Sequence, residues 1–180
     1  MTPSAELAQR LRAAAYLEGD FVLSSGQRSR YYLDKYLFET DPVLLADLAA
    51  ALAELVPPDT QRIACVPLGG IPLATALSLR TGLPTIIVRK EAKGYGTAKA
   101  LEGRYQPGER VVLVEDVLTT ASQALQAAAT LRELGLVVNR ILYVVDRQQG
   151  AEQNIRQAGY QPAYLFTAAD LGITPSGASQ

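Results

Sequence analysis

The sequence predicts an α/β fold in which helices flank a central parallel sheet, and three observations predict it. Short apolar, β-branched runs at residues 63–67 and 111–114 lack polar alternation, which reads as strands buried on both faces. Segments with the Ala/Leu/Gln/Arg content of helices, such as residues 123–134, lie between such runs. Strand-like and helix-like segments alternate from residue 63 onward, which implies right-handed crossovers and a parallel sheet.

In chain order, an amphipathic helix over about residues 4–15 carries Leu7 and Leu11 on one face and ends before Gly19. Two short extended segments, 21–23 and 30–34, flank the turn SSGQRS and read as a hairpin or hood. Asp41-Pro42 opens a helix through about residue 55, with proline in the first turn, where its missing N–H does no harm. There follow a strand at 63–67, a helix at 71–79, and strands at 84–89 and 111–114. A helix at 123–134, a strand at 141–145, a helix at 150–158 and a short strand at 163–166 complete the pattern.

With 180 residues, 48% hydrophobic and 19% charged, the chain fits one globular domain with ample length for a core. A formal net charge of −1 gives no electrostatic case for nucleic acid or an anionic membrane, so any anion binding must be local. Cys65, the one cysteine, sits in the apolar run IACV, which excludes an intramolecular disulfide and favours buried packing over nucleophilic chemistry. No apolar run approaches a membrane span, and Glu6 and Arg10 interrupt the start where a signal peptide needs an apolar core. A cytoplasmic protein is expected.

The chemistry concentrates in VVLVEDVLTTAS, residues 111–122. A buried strand there delivers Glu115 and Asp116 and then a hydroxyl-rich turn at its carboxyl end, where open parallel sheets bind ligands. Thr119, Thr120 and Ser122, with the start of the next helix, suit a phosphate monoester; the acid pair suits sugar hydroxyls or a divalent metal held through water. A bare D-x-x-T is also what ordinary helix capping produces. Two adjacent carboxylates before a hydroxyl cluster repel each other unless a cation or polyol uses them, which favours a site.

Two other turns share that end of the sheet. PLGGI follows the first core strand, and its paired glycines let backbone N–H groups approach a ligand; it is not a G-x-G-x-x-G dinucleotide motif. VVDRQQG leaves Asp146 and Arg147 at another strand end, where Arg147 can pair bidentately with a carboxylate or form a surface salt bridge. About 20 residues separate Arg89 from the strand at 111, and they carry Lys90, Lys93 and Lys99 around Tyr95, with Gly94, Gly96 and Gly103 as hinges. Alone, this interval reads equally as a cationic lid or a solvated hairpin; beside a phosphate site the lid is favoured.

The order FVLSSGQRSRYYLD, VPLGGIPLA, VRKEAKGYGTAKALEG, VVLVEDVLTTAS and VVDRQQG resembles the orotate phosphoribosyltransferases, of the Rossmann-like type I phosphoribosyltransferase fold. EDVLTT alone implies a phosphoribosyl diphosphate (PRPP) site shared with base-salvage enzymes; the hood segment, the RKE-x-K loop and the DR pair point to orotate. The resemblance implies one phosphoribosyltransferase domain over 1–173, a small N-terminal hood over about 1–40, a flexible catalytic loop over about 90–109, and a disordered tail over 174–180.

It further implies magnesium-dependent transfer of ribose 5-phosphate from PRPP to orotate, giving orotidine 5'-phosphate and diphosphate in pyrimidine synthesis. Lys93, Tyr95 and Asp116 are the implied catalytic residues. PRPP would contact Arg89, Lys90, Lys93, Tyr95, Leu68, Gly69, Glu115, Asp116, Val117, Leu118, Thr119, Thr120, Ala121, Ser122 and Gln123. Orotate would contact Tyr32, Leu33, Thr119 and Arg147. Mg2+ would be held mainly by PRPP and water near Glu115 and Asp116, with no direct protein ligand. A homodimer is implied, each loop serving the neighbouring site, with no nucleic-acid or membrane partner. Phosphoribosyl transfer to another base, or a non-catalytic PRPP-sensing regulator, are the alternatives.

The chain departs from the family pattern at several positions. Many members carry lysine where this chain has Ser24 and Gly69, an acid and a histidine where it has Gly94 and Tyr95, and glycine where it has Ala121. A left-handed backbone at Ala121 would cost about 1 kcal/mol or more.

Overall fold

A computed structural model describes residues 4–22, 28–89 and 100–173. Helix α1 (Ala5–Ala15) leads without a break into the antiparallel pair β1 (Tyr16–Val22) and β2 (Arg28–Leu33). Helices α2 (Lys35–Glu39) and α3 (Pro42–Ala53) follow, then β3 (Arg62–Cys65), α4 (Gly70–Thr81), β4 (Thr85–Val88) and β5 (Leu101–Glu102). The chain continues through β6 (Arg110–Leu118), α5 (Ser122–Glu133), β7 (Val137–Asp146), α6 (Ala151–Gln157) and β8 (Gln161–Thr167).

The main sheet has the order β5-β4-β3-β6-β7-β8 and is parallel except for β5, which runs antiparallel to β4. Strand alternation divides its side chains between two cores. Ile63, Cys65, Val112 and Val114 join Leu11 of α1, Phe38 of α2, Leu48 of α3 and Leu73 of α4. Ala64, Leu113 and Tyr143 join Ala128 and Leu131 of α5 and Ile155 of α6. Both faces are therefore covered, as the unalternated apolar runs require.

The expected central parallel sheet flanked by helices is present, and several element bounds differ. The acid pair does not follow the strand but lies within it: Glu115 and Asp116 are themselves buried, and β6 continues to Leu118 with the ladder to β7 kept at Glu115, Val117 and Leu118. The hairpin starts at Tyr16, directly after α1, and Asp34 caps α2, accepting a hydrogen bond from the Tyr36 N–H at 3.1 Å. Strand β7 begins at Val137, earlier than expected, where Asn139 and Arg140 interrupt the apolar run but the pairing to β6 persists. Residues 100–109 belong to the packed domain and not to a free loop. Buried Leu101 anchors β5, the Arg89 N–H donates to the Ala100 carbonyl at 2.9 Å, and Arg62 pairs with Glu109 at 2.6 Å. Lys90, Lys93, Tyr95 and Ser24, and the tail at 174–180, lie outside the described residues. Among the described residues no helix is long and apolar enough to cross a membrane.

Candidate active site

From β3 the chain crosses through α4 to β4 on one side; from β6 it crosses through α5 to β7 on the other. The connections diverge between β3 and β6, and that divergence opens a crevice at their carboxyl ends. A cleft of about 400 Å³ occupies this place. Its lining brings together Leu68, Gly69 and every residue from Glu115 to Gln123 with Lys35, Tyr36 and Pro67. A second cleft, about 500 Å³, is lined by α6, the turn before it and β8, and the start of α6 there carries no hydroxyl side chains.

Asp116 organises the main cleft. It is 3% exposed, one oxygen accepts the Val117 N–H, and the other lies 2.6 Å from Lys35 Nζ. Burial disfavours the Lys35 ammonium, but the hydrogen bond and charge of Asp116 outweigh it and raise the lysine above its ordinary value. Glu39, one helical turn after Lys35, is buried against the same carboxylate. Burial, followed by the charge and close approach of Asp116, pushes the Glu39 carboxyl up to about 8, so the pair holds a proton at neutral pH.

The glycines after β3 let α4 close on β6. A Cβ at Gly69 would lie 1.6 Å from Asp116 Oδ2 and 2.8 Å from Glu39 Oε1, and one at Gly70 would lie 2.9 Å from the Val114 carbonyl oxygen. The pair thus serves close packing of chain on chain, beyond the approach to a ligand that the sequence suggests. The peptide between Pro67 and Leu68 is cis, and Leu68 is exposed at the cleft rim. A Cβ at Gly70 would also lie 3.2 Å from Cys65 Cβ, and burial, followed by the charge of Glu115, pushes the Cys65 thiol up to about 12, which disfavours its nucleophilic form.

The turn after β6 discriminates between binding and capping. The cap position of α5 is Ala121, in the left-handed region at φ 62° and ψ 17°, and no side chain caps the helix. Thr119 and Thr120 are exposed; Thr120 Oγ1 lies 2.8 Å from Ser122 Oγ, and Asn154 Nδ2 donates to the Thr120 carbonyl at 2.9 Å. The first N–H groups of α5 thus face the cleft side with hydroxyls beside them, an arrangement suited to a phosphate.

Arg147 is held near this turn, its N–H donating to the Leu118 carbonyl at 2.9 Å. Buried Asp146 shapes that bend by accepting from Tyr143 Oη at 2.9 Å and the Gln148 N–H at 2.6 Å. The Arg147 guanidinium donates to Tyr31 Oη at 2.9 Å, tying the hood to the sheet. Tyr32 is exposed and packs on Phe21, with ring centroids 5.6 Å apart, whereas the Leu33 side chain is buried on the other face of β2. Arg89 pairs with Glu102 and lines a separate small cleft that shares Gln123 with the main one. The structure thus gathers the acid pair, both turns and Gln123 in one cleft, but not Arg89, Arg147, Tyr32 or Leu33. Lys35, Tyr36 and Glu39 carry no motif of their own; the local signal nearest to them is the Asp34 cap, with Lys35 and Glu39 four residues apart on the helix it opens.

Among the described residues no cluster of three side chains forms a metal site. The hard oxygen donors Glu115 and Asp116 fit a Mg2+ that takes most of its ligands from substrate and water.

A cleft at the switch point, an acid pair inside the central strand and an uncapped, hydroxyl-rich helix start define a phosphoribosyltransferase of type I fold. No family model matches the chain. Orotate phosphoribosyltransferases resemble it over nearly its full length: that of Methanocella arvoryzae is 46% identical over 167 residues, covering 92% of this chain and 95% of the relative. That of Halobacterium salinarum is 48% identical over 172 residues, covering 95% and 98%. The Mycobacterium tuberculosis orotate phosphoribosyltransferase superposes with TM-score 0.85 at 33% identity in complex with Fe(III) dicitrate, covering 94% of this chain and 98% of that one. In complex with PRPP it superposes with TM-score 0.81 at 31% identity, with the same coverage. The chain belongs to the orotate phosphoribosyltransferase family.

Proposed function

We propose that this protein transfers ribose 5-phosphate from PRPP to orotate, giving orotidine 5'-phosphate and diphosphate in the de novo synthesis of pyrimidine nucleotides. The observation that carries this reading is the single cleft joining the uncapped start of α5 to the buried pair Glu115 and Asp116. In this reading residues 119–123 cradle the 5'-phosphate, and Glu115 and Asp116 accept from the ribose hydroxyls. Leu68 and Gly69, with Arg89, Lys90, Lys93 and Tyr95, surround the diphosphate. Tyr32 flanks the base with its ring and Leu33 with its backbone, while Thr119 and Arg147 bind the carboxylated pyrimidine.

Displacement at the anomeric carbon passes through an oxocarbenium-like state. The protein then has to stabilise a departing diphosphate and exclude water, and it needs no nucleophile of its own. Lys93 supplies charge to the leaving group, Tyr95 a hydrogen bond, and Asp116 fixes the ribose; the chain's lack of histidine costs little. Mg2+, held through water near Glu115 and Asp116, would supply charge neutralisation to the diphosphate when bound. The same reading takes residues 1–173 as one domain, working as a cytoplasmic homodimer whose loop reaches the partner's site. Asp116→Asn and Lys93→Ala should each abolish most orotate-dependent PRPP consumption. Full activity in both would show that the roles are wrongly assigned.

A further inference from the structure

Among the described residues lining the main cleft, Lys35 is the one cation, set against Glu115 and Asp116. Its placement is built in. Asp34 caps α2, so the first residue of that helix points its long side chain at β6, and Glu39, one turn on, reaches the same carboxylate. Lys35 Nζ lies 2.6 Å from Asp116 Oδ2 with its side chain 34% exposed, while that of Asp116 is 4% exposed. The oxygen that Lys35 engages is also the one that packs against Gly69, in the turn after β3, where a Cβ would lie 1.6 Å from it.

This geometry creates a competition. One oxygen of Asp116 already accepts the Val117 N–H, so a ribose diol that hydrogen-bonds to both oxygens of this carboxylate competes with the ammonium for the other. The displaced ammonium stays charged and remains on a flexible four-carbon stem beside Leu68 and Gly69, where a diphosphate attached to the same ribose would lie.

We propose that Lys35 is a diphosphate-binding residue, parked on Asp116 in the free protein and released to the leaving group when the ribose hydroxyls take that carboxylate. The inference rests on the reading of the cleft as a PRPP site. Ribose binding and capture of the diphosphate are then linked: a sugar phosphate lacking the diphosphate must displace Lys35 and offers it nothing in return.

The test compares wild-type protein with Lys35→Met and Lys35→Arg, measuring PRPP and ribose 5-phosphate binding by calorimetry with Mg2+ present, together with initial rates. Lys35→Met should weaken PRPP binding at least 10-fold and raise the KM for PRPP, leaving the KM for orotate unchanged. Ribose 5-phosphate binding should stay the same or tighten, and Lys35→Arg should restore PRPP to within about 3-fold of wild type. Equal weakening of both ligands would show that Lys35 only holds Asp116 in place, and unchanged PRPP binding would remove the role altogether. If Lys35→Met does not fold, Lys35→Gln carries the same comparison. Wild-type protein that binds neither ligand would overturn the PRPP reading itself, an outcome distinct from any produced by the variants.

Discussion

Gly69→Ala isolates the contact on which the cleft depends. Gly69 has φ −64° and ψ −34°, a conformation alanine adopts freely, so the substitution strains no backbone and by itself stabilises by about 0.4–1 kcal/mol through the unfolded chain. The new methyl carbon, however, would stand 1.6 Å from Asp116 Oδ2 and 2.8 Å from Asp116 Cγ. The oxygen must retreat by roughly 1.8 Å to reach an ordinary contact distance. That rotation takes the side chain off its rotamer, at about 0.5–1.5 kcal/mol, and pulls a carboxylate only 4% exposed away from Lys35, a loss of up to about 3–5 kcal/mol for a buried charge left unpaired. The net loss is at most about 6 kcal/mol, a fall in Tm of no more than about 24 °C. The site suffers more, since misplacing a binding group by about 1 Å can cost on the order of 100-fold. Loss of orotate absorbance on adding PRPP, read beside a thermal melt, should show kcat/KM down by about that factor in protein that remains folded. A folded Gly69→Ala protein within 3-fold of wild type would refute the claim that Asp116 must sit where Gly69 leaves room.

Glu39 makes stability depend on pH. Its folded carboxyl is raised to about 8 from an ordinary 4.5, so the folded state binds the extra proton between those values, and the stability present below about pH 4.5 is lost as pH rises toward 8. Denaturant midpoints should fall across that window in wild type and stay flatter in Glu39→Gln; parallel slopes would count against the buried proton. Ala121→Gly relieves left-handed strain of about 1–2 kcal/mol but gives up a buried methyl worth about 0.8 kcal/mol and about 0.4–1 kcal/mol of unfolded-chain entropy. Its Tm should therefore move by less than about 4 °C, and a larger rise would mean that the methyl packs poorly. Arg147→Ala should raise the KM for orotate about 10- to 100-fold, the worth of a charge-assisted hydrogen bond, with the KM for PRPP little changed. An unaltered orotate KM would leave Arg147 as only a tie to Tyr31.

The parts of the site carried by strong local patterns were legible. VVLV marks a strand buried on both faces, and the acids and hydroxyls after it locate the cleft without any tertiary information. What stayed hidden depends on contacts across the chain. Helix α2 is five residues long, too short to display a period, and the burial of Glu39 exists only because Asp116 arrives from far along the sequence. Strand β5 is two residues long and is defined by its pairing to β4 and by Leu101 in the core. The glycines at 69 and 70 announce close approach, yet nothing local says that the approaching group is a carboxylate of the neighbouring strand. For Ala121 the reverse holds: comparison with the family's usual glycine points to positive φ, and the structure has it at 62°.

The central claim is tested most directly by incubating the purified protein with PRPP and Mg2+ and following orotate absorbance, with uracil, adenine and hypoxanthine as competing acceptors. Rapid loss of orotate alone, with equimolar diphosphate released, is the predicted result. Turnover of another base in preference to orotate, or none in folded protein that binds PRPP, would contradict it.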